Sequence, residues 1–206
     1  MTPGDTRAER RPAGERTHAA ILDEAIKIAS VEGVAAVTIG RLADALGLSK
    51  SGVYAHFGSK ERLHLETVEA AREIFGREVI GPAFEVPDGV QRLEAICGLF
   101  LDYVERRVFP GGCFFASLLG EFDAQDGQLH EEVVADQTGW MGLIESAIGT
   151  AKARKELRPD TDVGQLAFEL NAALELANYF YVLHRDVEMI RRGRSAIEAA
   201  IQRAST

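Results

Sequence analysis

The stretch that most constrains the fold is residues 38–60, TIGRLADALGLSKSGVYAHFGSK, which contains two short helical patterns separated by one turn. The first pattern has apolar residues at the three- and four-residue spacing of one helix face: Ile39, Leu42, Ala43 and Leu46. Thr38 precedes them as a candidate N-cap, because its hydroxyl can accept a hydrogen bond from a backbone N–H of the first turn. This pattern predicts a short helix.

A turn and a second short helix follow. Gly47 predicts the turn, since glycine adopts left-handed backbone angles without a steric cost. Ser49 can cap a helix that carries Val53 and Phe57 four residues apart on its inner face. Two short helices that cross closely at a steep angle form a helix-turn-helix. The outward residues of the second helix are then available to a partner, and the leading candidate is the major groove of DNA.

Length and composition favour a globular protein. The 206 residues suffice for one large or two small domains, and 46% of them are hydrophobic. No apolar run approaches the ~20 residues of a membrane span. Residues 1–14 mix both charges with Pro and Gly, so we expect a disordered arm rather than a signal peptide. Cys97 and Cys113 lack metal-ligand spacing, which fits a cytoplasmic location.

Charge is distributed unevenly along the chain. The net charge of −9 by itself argues against a polyanionic partner. Residues 1–64, however, hold nine Lys or Arg against eight Asp or Glu, a net charge of +1, whereas residues 65–206 hold fourteen against twenty-four, a net charge of −10. The acidity therefore belongs to the C-terminal part, and a helix-turn-helix presented twice in a dimer remains compatible with DNA.

The remaining sequence also consists of helical patterns. Apolar residues at helical spacing predict helices at about 15–32, 60–79, 90–107, 113–123, 128–154, 161–184 and 187–203. A loop is predicted around Gly81, Pro82, Pro87 and Gly89. No strand-type alternation of useful length appears, so the predicted fold class is all-α.

The last two predicted helices carry more apolar surface than one small domain needs to bury. We expect them to pack against their counterparts in a second copy, as an intermolecular four-helix bundle in a homodimer. The alternative is that they pack inward within one chain.

The order of these parts resembles the N-terminal region of the tetracycline-repressor-like (TetR/AcrR) transcriptional regulators. The resemblance covers roughly residues 16–65, where a leading helix ending in EGVAAVT is followed by IGRLADALGLSKSGVYAHFGSKERL. Beyond residue 80 only the helical layout and the size agree. Because the C-terminal domains of these regulators diverge, the resemblance implies no particular inducer.

This resemblance implies an N-terminal three-helix helix-turn-helix DNA-binding domain at 15–62 and a C-terminal helical effector-binding and dimerisation domain at 63–206. It also implies a ligand-responsive regulator, most often a repressor that a small molecule releases from a palindromic operator of double-stranded DNA.

The resemblance further implies DNA contacts for seven residues: Thr38, Lys50, Ser51, Gly52, Tyr54, His56 and Lys60. Thr38 and Lys60 would contact phosphate, the lysine with help from the dipole of its helix. For His56 two roles remain open: a contact with phosphate or packing against the core.

The chain departs from the family pattern at Gly40 and Gly52, where relatives often carry a side chain able to reach a base or a phosphate. Lys50 and Tyr54 are therefore the main candidates for base readout.

A ligand cavity is expected among the middle helices, since binding sites in helical bundles lie between helices. The candidate residues are Phe100, Tyr103, Phe114, Phe115, Phe122, Trp140, Ile144, Asn171 and Tyr179. Each of them is also compatible with an ordinary core position. The expected ligand is mainly apolar with few polar anchors. Asn171 and Glu175 are the polar residues expected to face inward on the late helix, unless they lie at the dimer interface.

Catalytic motifs are not evident. The sequence contains no Gly-rich phosphate loop or nucleophile elbow, and no two histidines share the i, i+4 spacing of a helical metal site. We predict no enzymatic activity, no cofactor and no metal. The alternative to a DNA-binding regulator is a helical adaptor that binds another protein and not DNA.

Overall fold

The computed structural model describes residues 13–122 and 126–206, and within these residues the regular structure is helical. The N-terminal helices are α1 (Ala13–Glu32), α2 (Ile39–Leu46), α3 (Lys50–Phe57) and α4 (Lys60–Phe75), with a 3-10 turn at Val34–Ala36. They are followed by α5 (Gly81–Phe84), α6 (Val90–Glu105), α7 (Phe114–Phe122), α8 (Gln128–Ala153), α9 (Val163–His184) and α10 (Glu188–Ala204). The all-α prediction is confirmed. Residues 1–12 of the predicted arm lie outside the described residues, whereas residues 13 and 14 begin α1.

The chain forms two compact units, one ending at Ala71 and the other comprising Arg72–Thr206. The division falls inside α4, whereas the predicted domain boundary, between residues 62 and 63, lies earlier in the same helix. Among the described residues, no helix combines the length and the apolar character that crossing a membrane requires.

The first unit is built around one apolar core contributed by α1 to α4. Its fully buried residues include Ile21, Ala25, Leu42, Val53, Phe57, Leu63 and Val68. Two polar contacts hold the connections in place. The exposed guanidinium of Arg41 forms a two-pronged ion pair with Glu32 at the end of α1. A hydrogen bond of 2.9 Å joins His64 Nε2 on α4 to the carbonyl oxygen of Val37 before α2.

The second unit is a helical bundle in which α9 packs along α10 and against α6 and α8. Its buried residues include Leu93, Ile96, Phe100, Leu101, Ile144, Ile148, Leu170, Leu174, Ile197 and Ile201. The α9–α10 crossing is close, because a Cβ atom at Gly193 would lie 2.6 Å from Cβ of Ala177. Small residues at this crossing therefore let the two backbones approach.

The chain departs from the predicted helix at 60–79. α4 ends at Phe75 and continues as a π-helical turn, Gly76–Ile80, in which the Gly81 N–H bonds to the Gly76 carbonyl. Pro82 stands in the first turn of α5, a position at which proline is tolerated. The prediction of a loop at Gly81 and Pro82 is therefore wrong, and the helical path breaks after Phe84 instead.

Candidate functional site

The helix-turn-helix is formed by α2 and α3. Thr38 Oγ1 accepts a hydrogen bond from Arg41 N at 3.2 Å, and Ser49 Oγ accepts one from Gly52 N at 3.0 Å. Both hydroxyls therefore cap their helices. Gly47 ends α2 in the left-handed conformation, with φ of +64°, which supplies the turn between the two helices.

One face of α3 is buried and the other is exposed. Val53 and Phe57 are almost fully buried in the core of the first unit. Lys50, Ser51 and Gly52 are exposed, and so is Tyr54, whose relative exposure is 54%. A tyrosine exposed to this extent on a short capped helix can enter a DNA groove, where it offers both a ring and a hydroxyl group.

Gly40 makes room for the side chain of Lys50. A Cβ atom at position 40 would lie 3.5 Å from Lys50 Cε and 3.8 Å from Lys50 Nζ, so the lysine side chain extends across α2 at the point where α2 has no side chain. Gly52 is more restricted, since a Cβ atom there would lie 3.0 Å from the capping hydroxyl of Ser49. Of the two departures from the family pattern, Gly40 therefore leaves space for the Lys50 side chain, and Gly52 leaves space for the Ser49 hydroxyl that caps α3.

The two predicted phosphate contacts, Thr38 and Lys60, are both exposed. Lys60 Nζ donates to the carbonyl oxygen of Ala35 at 3.4 Å, which directs the ammonium group toward the 3-10 turn. An ammonium group has three N–H donors, so this contact leaves capacity for a phosphate oxygen. Lys60 is also the first residue of α4, where the unpaired N–H groups of the helix carry partial positive charge.

His56 differs from the other predicted DNA contacts because it is half-buried. Its ring centroid lies 5.7 Å from that of His18 on α1, and His18 packs edge-on against Phe57 at 4.7 Å. The structure therefore places His56 at the junction of α1 and α3. A role for His56 at DNA stays a prediction.

The second candidate site is a cavity of about 430 Å³ within the second unit. Its lining is mainly apolar and aromatic, and consists of Arg72, Phe75, Gly76, Ile80, Phe84, Phe100, Cys113, Phe115, Ala116, Leu118, Leu119, Val133, Asp136, Gln137, Gly139, Trp140, Leu143 and Glu175. The volume suits a small organic molecule. Three predicted ligand residues, Phe100, Phe115 and Trp140, line this cavity.

Four of the lining aromatic rings contact one another. The ring centroid of Phe75 lies 5.6 Å from those of Phe115 and Trp140 and 6.4 Å from that of Phe100, each in an edge-to-face arrangement. Phe100 and Trp140 are 5.6 Å apart with a tilt of 33°. Contacts of this kind fix ring orientations, so the cavity has a preformed aromatic wall.

The other predicted ligand residues lie outside the cavity lining: Tyr103, Phe114, Phe122, Ile144, Asn171 and Tyr179. Tyr103, Phe114 and Ile144 are fully buried in the core. Two of the others support the cavity walls. Asn171 Oδ1 accepts a hydrogen bond from Trp140 Nε1 at 2.8 Å, and the hydroxyl of Tyr179 donates to the carbonyl oxygen of Ala116 at 3.0 Å. A direct ligand contact for these six residues stays a prediction.

Three charged side chains also line the cavity: Arg72, Asp136 and Glu175. Arg72 donates from Nε to Asp136 Oδ1 at 2.6 Å and from Nη2 to Glu132 Oε2 at 2.5 Å. The third, Glu175, has a buried Oε2 atom with no hydrogen-bond partner among the described residues. Burial raises the pKa of Glu175 to about 7. The sequence predicts that Glu175 faces inward or lies at the dimer interface, and Glu175 is not among the predicted ligand residues, although it lines the cavity.

Comparison with known proteins decides the family. Residues 89–197 match the tetracyclin repressor-like C-terminal domain, and residues 21–67 match the bacterial regulatory proteins of the tetR family. The chain belongs to the TetR family. Members of this family are DNA-binding transcription regulators and not enzymes, so the predicted family and the predicted regulatory, non-enzymatic class are confirmed.

Individual relatives agree with this assignment. The nucleoid occlusion factor SlmA of Vibrio vulnificus is 30% identical over 82 residues, which span 40% of this chain and 41% of SlmA. The chain thus matches about two fifths of the length of that curated relative. A TetR transcriptional regulator from Chloroflexus aurantiacus J-10-FL is 28% identical and superimposes with a TM-score of 0.82 over 93% of this chain and 97% of its own.

A second solved structure shares the fold at lower identity. It is that of AibR in complex with isovaleryl coenzyme A and operator DNA, which is 18% identical, with a TM-score of 0.69 over 91% of this chain and 97% of its own.

Proposed function

We propose that this TetR-family protein is a homodimeric, ligand-responsive repressor. It binds a palindromic operator through α3 and releases the operator when a small molecule occupies the cavity of the second unit. The observation that carries the proposal is that a single helix, α4, contains residues of both candidate sites. This helix begins at Lys60, a predicted phosphate contact, and ends with Arg72 and Phe75, which line the cavity.

In this proposal the exposed side of α3 enters the major groove. Lys50 and Tyr54 contact base edges, because their side chains are exposed and carry groups able to hydrogen-bond with bases. Thr38, Ser51 and Lys60 contact phosphates, and Gly52 lets the backbone approach the DNA closely. His56 contacts the DNA from its position at the junction of α1 and α3. Because the DNA target of a bacterial regulator lies in the cytoplasm, the protein acts there.

Dimerisation would present the two recognition helices together. Five large apolar residues of α9 are at least 40% exposed in the single chain: Phe168, Leu176, Tyr179, Phe180 and Leu183. Their spacing places them along one side of the helix, and an exposed apolar stripe of this size is typical of an interface. We assign it to the same stripe of a second copy, with α10 beside it, as an intermolecular four-helix bundle.

Release would follow from a shift in population. A ligand that binds more tightly to one conformation favours that conformation by the difference in its binding free energies. In a TetR dimer, the favoured conformation would be one in which the two α3 helices no longer match successive major grooves, roughly 34 Å apart. The AibR structure contains both isovaleryl coenzyme A and operator DNA, so a protein of this fold binds a small molecule as well as an operator.

An electrophoretic shift assay with the DNA upstream of the protein's own gene tests the operator-binding function. We expect binding that weakens steeply with salt, because neutralised phosphates release counterions. Tyr54→Ala should abolish preference for the operator over random DNA. Lys60→Ala should weaken binding to both and reduce the salt slope by about 0.9 for each phosphate that is no longer neutralised.

Absence of binding at low salt would contradict the proposed operator binding and would favour the alternative of a helical adaptor that binds protein. Retention of sequence preference by Tyr54→Ala would show that another side chain reads the bases. Unchanged thermal unfolding of both variants is the control, since the two side chains are exposed.

A further inference from the structure

We propose that the cavity of the second unit selects an organic cation, a small molecule with one ammonium group and an apolar body, whose positive charge pairs with Glu175. This inference rests on the proposed function and deepens it, since it names the chemical class of the effector.

The first observation is the unpartnered carboxylate. Glu175 projects from α9 into the lining of the cavity, and within the described residues its buried Oε2 atom has no hydrogen-bond partner. A carboxylate removed from water is costly unless it is paired. A bound ammonium group would supply both the missing donor and the opposite charge.

The second observation is that the cavity's own cation is already paired. Arg72 is the one Lys or Arg in the described lining, and it donates to both Asp136 and Glu132. Its charge is therefore not available to hold an anionic ligand. Asp136 also keeps a buried Oδ2 atom without a partner among the described residues. When Glu175 is ionised, the charged groups of the lining therefore leave an excess of negative charge, which opposes anions and favours one cation.

The third observation is the aromatic wall. Phe75, Phe100, Phe115 and Trp140 line the same cavity as Glu175. The face of an aromatic ring attracts a cation through its quadrupole, most strongly in a site from which water is excluded. A carboxylate combined with several aromatic rings is a set of groups that recognises ammonium compounds and also accommodates their apolar substituents.

The titration of Glu175 agrees with a buried carboxyl group that has no compensating cation nearby. Burial raises the pKa of Glu175 to about 7, so this carboxyl group is partly protonated at neutral pH and fully ionised only above it. The titratable groups near it are Tyr103, Cys113 and Tyr179, whose pKa values are raised mainly by burial and, to a lesser extent, by the negative charge of Glu175. All three are neutral near pH 7 and do not compensate the Glu175 charge. The arginine of the lining, Arg72, is paired with Asp136.

Three matched probes test the proposal: 4-phenylbutylamine, 4-phenylbutan-1-ol and 4-phenylbutanoate, which share a body and differ in charge. Trp140 is the single tryptophan of the chain and lines the cavity, so its fluorescence reports binding to the full-length protein directly. At pH 8 we expect the amine to bind at least about tenfold more tightly than the alcohol, as for a charge-assisted hydrogen bond, and the carboxylate to bind most weakly.

Glu175→Gln keeps the shape of the side chain and removes its charge. We expect this variant to bind the amine and the alcohol with affinities within about threefold of each other, while the alcohol affinity stays near that of the wild type. Glu145→Gln is the matched control, because it removes the same charge from an exposed position of α8 outside the lining. It should keep the wild-type preference.

A second measurement does not depend on the variant. In the wild-type protein the amine-to-alcohol affinity ratio should fall several-fold from pH 8 to pH 6, as Glu175 becomes protonated. Equal amine and alcohol affinities at pH 8, a preference for the carboxylate, persistence of the amine preference in Glu175→Gln, or no binding of any probe would overturn the proposal.

These outcomes are independent of operator binding. If the amine binds with the expected preference but the protein never shifts operator DNA, the proposed repressor function fails and the ligand class stands. If operator DNA is bound and the probes show no charge preference, the proposed ligand class fails and the proposed operator binding stands.

Discussion

Trp140 Nε1 on α8 donates a hydrogen bond of 2.8 Å to Asn171 Oδ1 on α9, and the indole ring so oriented forms part of the cavity wall. Phe75 lies next to it in the same wall, with its ring edge-on to the indole at 5.6 Å. Asn171 is therefore a positioning residue for the wall, although it lies outside the lining.

Replacing this amide should disturb both stability and the cavity. Asn171→Ala leaves the partly buried indole N–H without its partner, so we expect the free energy of unfolding to fall by about 1–3 kcal/mol. Urea unfolding followed by circular dichroism measures this change, and the emission spectrum of Trp140 should shift in the folded protein. Asn171→Asp retains an acceptor oxygen and should lose less. Equal stability of the wild type and Asn171→Ala would mean that the hydrogen bond contributes nothing.

The helix-turn-helix was predictable in detail because its signals are local. Thr38 and Ser49 each precede a short apolar pattern, and both cap the helix that the pattern predicts. Gly47 stands where the chain must turn, and it has the expected left-handed backbone. Each of these signals acts within a few residues, so one sequence is enough to place the turn and the exposed face of α3.

The cavity could be predicted only in part, because its composition depends on how distant helices meet. Phe100 lines the cavity, whereas Tyr103, one helical turn later, is fully buried in the core, and helical spacing cannot separate these outcomes. Arg72 and Asp136 are 64 residues apart in the sequence, so no local sequence pattern predicts their ion pair. Glu175 could be placed inward from the sequence, but its lack of a partner depends on the packing around it.

Gly112 should tolerate no side chain. Its φ is +89°, and a Cβ atom there would lie 2.5 Å from Asn178 Oδ1, which accepts the hydrogen bond of Cys113 N at 2.8 Å. Gly112→Ala should therefore lower the free energy of unfolding by about 2 kcal/mol or more, through backbone strain and overlap with Asn178.

The matched control is Gly120→Ala on α7, an exposed helical position where a Cβ atom would meet nothing within 4 Å. It should raise stability by about 0.5–1 kcal/mol, because alanine favours a helix more than glycine does. Chemical denaturation of both variants compares the two effects. Equal stabilities for Gly112→Ala and Gly120→Ala would contradict the close contact at Gly112.

Stability should depend on pH through Glu175. Burial raises the pKa of this carboxyl group from 4.5 to about 7, so the folded protein holds the proton more tightly than the unfolded chain does. Ionisation of Glu175 therefore costs the folded state nothing below pH 4.5, and the cost grows as the pH rises toward 7 and is constant above it. The full difference corresponds to about 3 kcal/mol.

Glu175→Gln removes this ionisation. The variant and the wild type should have similar stability near pH 4.5, and the variant should become the more stable of the two by about pH 8. Thermal and urea unfolding of both proteins between these pH values measure the difference, in which the titration of all other groups cancels. A stability difference that is independent of pH would show that Glu175 is not the titrating group.

Two exposed apolar residues of similar exposure distinguish the proposed dimer interface from the rest of the surface. Leu176 on α9 is 52% exposed and belongs to the apolar stripe, whereas Val134 on α8 is 49% exposed and lies outside it. In a two-fold symmetric interface each substitution occurs twice, so Leu176→Arg should bury two unpaired charges and weaken dimerisation by at least about 100-fold. Val134→Arg should leave the dimer intact. Sedimentation equilibrium of the two variants and the wild type measures the association constants. Wild-type association of Leu176→Arg, or a loss of the dimer in Val134→Arg alone, would place the interface elsewhere than α9.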